Sequence, residues 1–224
     1  MTEALILDCD GVLAITEPAH LAAANAGFEA AGLDVRWDEA MFARLSQTAG
    51  LRAQATAYFA RFGWPGGEAD NTDLLDMLEA VHLKAFREGV RRGEVVLRDG
   101  VGDLIDRADH AGLKVAVCSD DHVDAAMACL SLLGLQRASK VSVMVGRPEV
   151  ARGKPEPDLY LAAAERLGVS PAACLVVDDT SAGCAAGVKA GMAVAAAPLT
   201  AGASPQAFPG VKAVVTGLGE VDLE

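Results

Sequence analysis

Two apolar stretches of this sequence end in paired acids. Asp8-Cys9-Asp10-Gly11-Val12-Leu13 closes the first, and Leu175-Val176-Val177-Asp178-Asp179-Thr180 closes a later one. At a strand end the chain turns, and Gly11 lets the backbone curl so that both carboxylates of the first pair reach one pocket. Acids gathered in this way repel unless a cation lies between them. Mg2+ is the simplest choice, because it takes a few carboxylates together with water and phosphate oxygens. One acidic pair alone would read as a solvated turn, but two pairs on two strand ends would not. The run Val115-Ala116-Val117-Cys118 ends likewise in the hydroxyl of Ser119, and Lys154 stands in Gly153-Lys154-Pro155-Glu156-Pro157-Asp158, where two prolines restrict the backbone as a helix starts. Three strand ends thus supply carboxylates and a hydroxyl to one edge, with one lysine to balance them.

Such an edge requires parallel strands. Short apolar runs at Ala4 to Leu7, Lys114 to Cys118, Val141 to Val145, Cys174 to Val177, Ala193 to Ala196 and Ala213 to Val215 read as strands buried on both faces. Helical patterns at Gly102 to Ala111, His122 to Leu133, Pro157 to Leu167 and Ser181 to Ala190 alternate with them. The expected fold class is therefore α/β, a doubly wound parallel sheet. The stretch from about Glu17 to Glu94 breaks this alternation, reading as helix after helix with turns at Gly32, Gly50 and Gly63 to Gly67. We expect a core domain of residues 1–16 and 95–224, and a smaller all-helical cap domain of residues 17–94 inserted after the first strand, over the carboxyl ends of the strands where ligands bind in open α/β folds.

With 224 residues, 52% of them hydrophobic, the chain can bury a core, and its net charge of −12 argues against nucleic acid or an anionic membrane as partner. A small anionic substrate remains possible if it is locally neutralised. The uncharged run from Ala190 to Val211 is interrupted by Pro198, Pro205 and Pro209 and does not read as a membrane span. Glu3 and Asp8 disfavour a signal peptide, so a cytoplasmic protein is expected. Cys118, Cys129, Cys174 and Cys184 read as buried reduced thiols.

Taken in order, DCDGVL, the strand end at Ser119, GKPEPD and VVDDTSAG followed by AGM resemble the haloacid dehalogenase-like hydrolases over nearly the whole chain. The helical insertion is similar to the cap of the subgroup with β-phosphoglucomutase, phosphoglycolate phosphatase and the CbbY-like sugar bisphosphatases. GLDVRWDEAMF and the turn from Phe62 to Pro65 are nearest to the CbbY-like members. The resemblance implies a Mg2+-dependent phosphatase for a small phosphorylated sugar or sugar bisphosphate. Asp8 would be the nucleophile that forms an aspartyl phosphate, and Asp10 the general acid and then base. Asp8, the Asp10 carbonyl and Asp179 would hold the metal with help from Asp178, and Ser119 and Lys154 would hold the phosphoryl oxygens. In the helical insertion His20 and Arg52 are the substrate-binding candidates, with Arg147 and Lys84 as further cations of interest. A sugar-phosphate mutase, a phosphoglycolate phosphatase and a weakly catalytic sugar-phosphate-binding protein remain as alternatives, and a monomer or weak homo-oligomer is expected.

Several positions depart from the pattern. Asp178-Asp179 stands where the subgroup commonly has Glu-Asp, and Ile15 where its hinge often has Asp. Asp120 and Asp121 follow Ser119 where small or amide residues are usual, and they read as caps of the next helix.

Overall fold

The computed structural model describes residues 1–46, 50–67, 71–200 and 202–224. It divides into one unit of Met1–Ile15 with Val96–Glu224 and a second of Thr16–Val95. The first unit carries β1 (Ala4–Asp8), β2 (Ala14–Ile15), β3 (Val96–Leu97), β4 (Lys114–Ser119), β5 (Val141–Gly146), β6 (Cys174–Asp178), β7 (Ala193–Ala196) and β8 (Ala213–Val214). Six of these form a parallel sheet in the order β5-β4-β1-β6-β7-β8. β1 lies at its centre and every residue of it is buried, which is why the sequence there is an unbroken apolar run rather than an alternating one. The two remaining strands pair antiparallel, Ala14 with Leu97 and Ile15 with Val96. This small ribbon is where the chain leaves the sheet unit and returns to it.

Among the described residues the second unit is all helical, with α1 (Glu17–Ala30), α2 (Glu39–Leu45), α3 (Leu51–Phe62) and α4 (Thr72–Arg91). Phe28, Trp37, Phe42, Leu51, Phe59 and Leu78 form its core. Asn25 clamps the backbone of Trp37 at both polar groups, at 2.9 and 2.8 Å, and Asp38 caps α2 by accepting from the Met41 N–H at 2.7 Å. Trp37 and Phe42 of the GLDVRWDEAMF stretch are thus packing residues of this unit.

In the sheet unit the helices are α5 (Val101–His110), α6 (Val123–Ser131), α7 (Gly134–Ala138), α8 (Asp158–Leu167) and α9 (Ser181–Lys189). Ile6, Ala116, Cys118, Val176 and Val194 share a core with Leu159, Tyr160 and Ala163 of α8 and with Cys184 and Ala186 of α9. On α5, Val101, Leu104, Ile105 and Ala108 are buried, the i, i+3, i+4, i+7 stripe of a helix lying on a sheet. The architecture is the doubly wound parallel α/β fold expected from the alternation. One expected helix, His122 to Leu133, is shorter than anticipated, because Gly134 takes a φ of 72° and starts the separate α7. All five cysteines are buried free thiols. Among the described residues no helix is long and apolar enough to cross a membrane.

Candidate active site

The carboxyl ends of β1, β4 and β6 lie side by side, because β1 pairs with both of the others. After Asp8 the chain folds into a tight turn closed by its own backbone. The Leu13 N–H donates to the carbonyls of Asp8 and Cys9, the Ala14 N–H to that of Cys9, and the Gly11 N–H to that of Ala14. Gly11 makes this turn possible in two ways. Its φ of 83° is costly for other residues, and a Cβ there would overlap the Asp179 carboxylate. Gly11→Ala should therefore lower stability by about 1–3 kcal/mol and push Asp179 aside. Denaturant unfolding and turnover measured together check both effects.

Lys154 reaches into the site from the loop before α8, with its side chain only 6% exposed. Its ammonium donates to Asp8 Oδ1 and, at 2.8 Å, to Asp178 Oδ2. Burial by itself would favour the neutral amine, but Asp178 and Asp8 outweigh it and hold Lys154 protonated. Asp178 is fully enclosed and richly solvated by donors. Oδ2 also accepts from the Tyr160 hydroxyl, while Oδ1 accepts from the Thr180 N–H and hydroxyl, each at 2.8 Å. Burial raises this carboxyl, yet Lys154, Tyr160 and Thr180 bring it below the usual carboxylate range. A Cβ at Gly183 would overlap the Asp178 carboxylate, so the first turn of α9 can approach that acid only through glycine.

Asp179 is the counterpart with no such company. Among the described residues its Oδ1 is buried with no hydrogen-bond partner, and burial together with the Asp178 charge pushes the carboxyl up to about 7. Oxygens of Asp8, Asp178 and Asp179 lie within 4.8 Å of one another. Burial also raises Asp8, against the opposing pull of Lys154. An orphaned carboxylate oxygen among other carboxylates is what a hard divalent cation would satisfy, so this donor set fits Mg2+. Ser119 is 1% exposed, donates to Asp10 Oδ2 at 3.2 Å and accepts from the Asp121 N–H at 3.0 Å.

Residues 2–191 match the haloacid dehalogenase-like hydrolase family. The chain belongs to that family. Among haloacid dehalogenase-like relatives, it is 38% identical over 198 residues to a CBBY-like protein of Arabidopsis thaliana, covering 86% of this chain and 62% of that one. It is 35% identical to the plasmid-encoded CbbY of Cupriavidus necator, covering 97% and 86% of the two chains. The crystal structure of CbbY from Rhodobacter sphaeroides in complex with phosphate superposes with a TM-score of 0.86 at 29% identity, over 98% of this chain and 96% of that one. The CbbY subgroup expected from the motifs is thus where its relatives lie, and this haloacid dehalogenase-like hydrolase is a phosphoric monoester hydrolase.

His20 lies on α1, with Nδ1 3.1 Å from His82 Nε2 and its ring stacked on Phe86. Arg52 on α3 donates to Glu79 at 2.7 Å and to Asp76, so it carries two carboxylates of its own unit. Arg147 donates to the Val150 and Ala151 carbonyls and shapes the loop leading to Lys154, and Lys84 is exposed on α4. Asp120 and Asp121 do not cap α6, since His122 takes that place by accepting from the Asp124 N–H. Asp121 instead accepts from the His122 N–H, and Asp120 from the N–H of Lys154 at 3.1 Å. Asp120 therefore anchors the loop of the site's lysine. Asp120→Ala should cost about 1–3 kcal/mol by leaving that N–H unsatisfied, whereas Asp120→Asn keeps an acceptor oxygen and most of the stability. Unfolding midpoints of the two variants distinguish them.

Sequence reasoning missed two residues. Tyr160 bonds Asp178 and lies with its ring centroid 5.4 Å from Lys154 Nζ, and Arg98 is buried beside Gly11. A tyrosine two residues past Asp158 on an amphipathic helix carries no distinguishing signal. The arginine follows a two-residue strand that has no periodicity to reveal it.

Proposed function

We propose that this hydrolase removes phosphate from a small phosphorylated sugar, by a phosphoenzyme route on Asp8 with Mg2+ as cofactor. The observation that carries the reading is the unpartnered Asp179 oxygen beside Asp8 and Asp178, with Lys154 held between the latter two. Asp8, Asp179 and the Asp10 carbonyl would hold the ion, and Asp178, whose oxygens are already engaged, would orient the others. When bound, the cation supplies charge neutralisation for the transferring phosphoryl group.

The chain's own residues supply the rest. Asp8 attacks phosphorus and becomes the acyl phosphate. Lys154 lowers the repulsion between that carboxylate and an incoming dianion, and with Ser119 it binds phosphoryl oxygens. Asp10, hydrogen-bonded to Ser119, gives a proton to the leaving alkoxide and later takes one from the attacking water. His20 would contact substrate from the helical unit, as would Arg52 once a substrate anion competes with Asp76 and Glu79 for it.

The CbbY of Rhodobacter sphaeroides has also been crystallised, as a mutant, in complex with xylulose-(1,5)bisphosphate, at 29% identity and a TM-score of 0.85 to this chain. That supports a pentulose bisphosphate as the substrate class. The experiment is a phosphate-release screen with Mg2+ over sugar monophosphates, sugar bisphosphates and phosphoglycolate. A pentulose bisphosphate should lead it. Isomerisation of a sugar phosphate without release would replace hydrolysis by a mutase activity, and release from no member would overturn the reading.

A further inference from the structure

The ladder between β1 and β6 ends one residue short of the acids. Its last register pair is Leu7 with Val177, while Asp8 is in register with Cys118 on the other neighbour. Beyond that point the turn bearing Asp8 and Asp10 and the segment bearing Asp178 and Asp179 need another link. Arg98 lies where one would have to be.

Arg98 follows β3 directly and is 9% exposed. Its backbone N–H donates to the Leu13 carbonyl at 3.1 Å, which fixes it against the end of the first turn. From there Nη1 donates to the Gly11 carbonyl at 2.8 Å and to the Ala197 carbonyl at 2.6 Å, and Nη2 is 3.5 Å from the Pro198 carbonyl. Ala197 in turn donates its N–H to the Asp178 carbonyl at 2.8 Å. A continuous path of bonds therefore runs from Gly11 through one guanidinium to Ala197 and on to Asp178. Gly11 closes the loop from the other side, since its Cα abuts the Asp179 carboxylate. Burying a cation on carbonyl oxygens is expensive, and a guanidinium cannot escape by losing its proton. The charge that faces it is Asp179, which offsets part of the effect of burial.

We infer that Arg98 is a positioning residue of the active site, a buried brace that joins the Asp8–Gly11 turn to the ends of β6 and β7 and so sets the Asp179 carboxylate against Asp8. It touches no reacting atom in this role. The inference rests on the proposed use of Asp8 and Asp179 with a divalent cation, and it adds what holds them in register.

The test compares wild type, Arg98→Met and Arg98→Lys in the full chain. Mg2+ binding is measured by calorimetry alongside kcat and KM, and circular dichroism and denaturant unfolding report the fold. For Arg98→Met we expect Mg2+ to bind about 10- to 100-fold more weakly and kcat to fall by a similar factor, as for other groups that support metal ligands, while KM changes little. Arg98→Lys, with a charge but no fork, should lie between the two. A folded Arg98→Met with wild-type Mg2+ affinity and kcat overturns the inference. If Arg98→Met does not fold, Arg98→Lys decides, with wild-type values overturning the inference and weakened Mg2+ binding supporting it. Failure of the underlying reading looks different, because wild type itself would then neither bind Mg2+ nor release phosphate.

Discussion

Asp8→Asn should yield no phosphorylated protein, and Asp10→Asn should accumulate it. The two acids are two residues apart but differently housed. Asp8 is 4% exposed and bonded to Lys154, whereas Asp10 is half-buried and takes the Ser119 hydroxyl. Removing the anionic oxygen of Asp8 removes the proposed nucleophile, and Lys154 still keeps Asp178 as a partner, so loss of turnover need not mean loss of fold. In the proposed roles, changing Asp10 removes proton transfer alone. Turnover of a sugar phosphate should fall by about 10²- to 10⁴-fold. An aryl or acyl phosphate needs little protonation to depart, so with such a substrate Asp10→Asn should still phosphorylate Asp8, and hydrolysis of the acyl phosphate becomes the slow step. Trapping of labelled phosphoprotein in both variants is the measurement. Label on another residue in Asp8→Asn, with none in Asp10→Asn, would reverse the assignment of nucleophile and acid.

Excess chelator should abolish phosphate release, and Mg2+ should restore it. Asp8, Asp10, Asp178 and Asp179 converge on one edge with Lys154 and Arg98 as neighbouring cations, and a phosphomonoester adds about −1.5 to −2 more charge. Positioning alone cannot stabilise that much like charge in a buried site. Ca2+ should bind yet support little turnover, because its larger and looser shell would misplace Asp8 relative to phosphorus. A second readout is independent of catalysis. A cation that binds only the folded chain adds about 2.7 kcal/mol of stability at a hundredfold excess over its dissociation constant, so Mg2+ should raise the unfolding midpoint. Undiminished hydrolysis in chelator, with no shift of that midpoint, would sink the metal assignment.

The strands were legible because burial on both faces leaves an uninterrupted apolar run. Their ends were read one residue short where a polar residue still takes part in the ladder, as Asp8, Ser119 and Asp178 do. The acids, the hydroxyl and the lysine stood out because each closes such a run or sits just before two prolines. Arg98 did not, since its acceptors Gly11 and Ala197 are 87 and 99 residues away in the chain, and an arginine just before a polar turn ordinarily reads as solvated. Asp120 was placed on the wrong partner for a similar reason. A carboxylate just before a helix has a local explanation in capping, while its actual donor, Lys154, is 34 residues distant. Both misses concern bonds to backbone groups, which leave no mark on the partner's residue type.

The two-residue ribbon of Ala14–Ile15 with Val96–Leu97 also bears on how such chains can change over generations. Directly paired antiparallel residues lie about 4.5–5.5 Å apart, so the polypeptide departs and returns through adjacent doors. To the parallel sheet, the eighty residues of Thr16–Val95 are one long hairpin loop. Closing a loop becomes only slowly more costly with length, by roughly 0.6 kcal/mol for each doubling. Recombination at these two joints can therefore exchange, enlarge or trim the whole insert and leave the register of every sheet strand as it was. Inheritance can treat the inserted unit as a replaceable cassette.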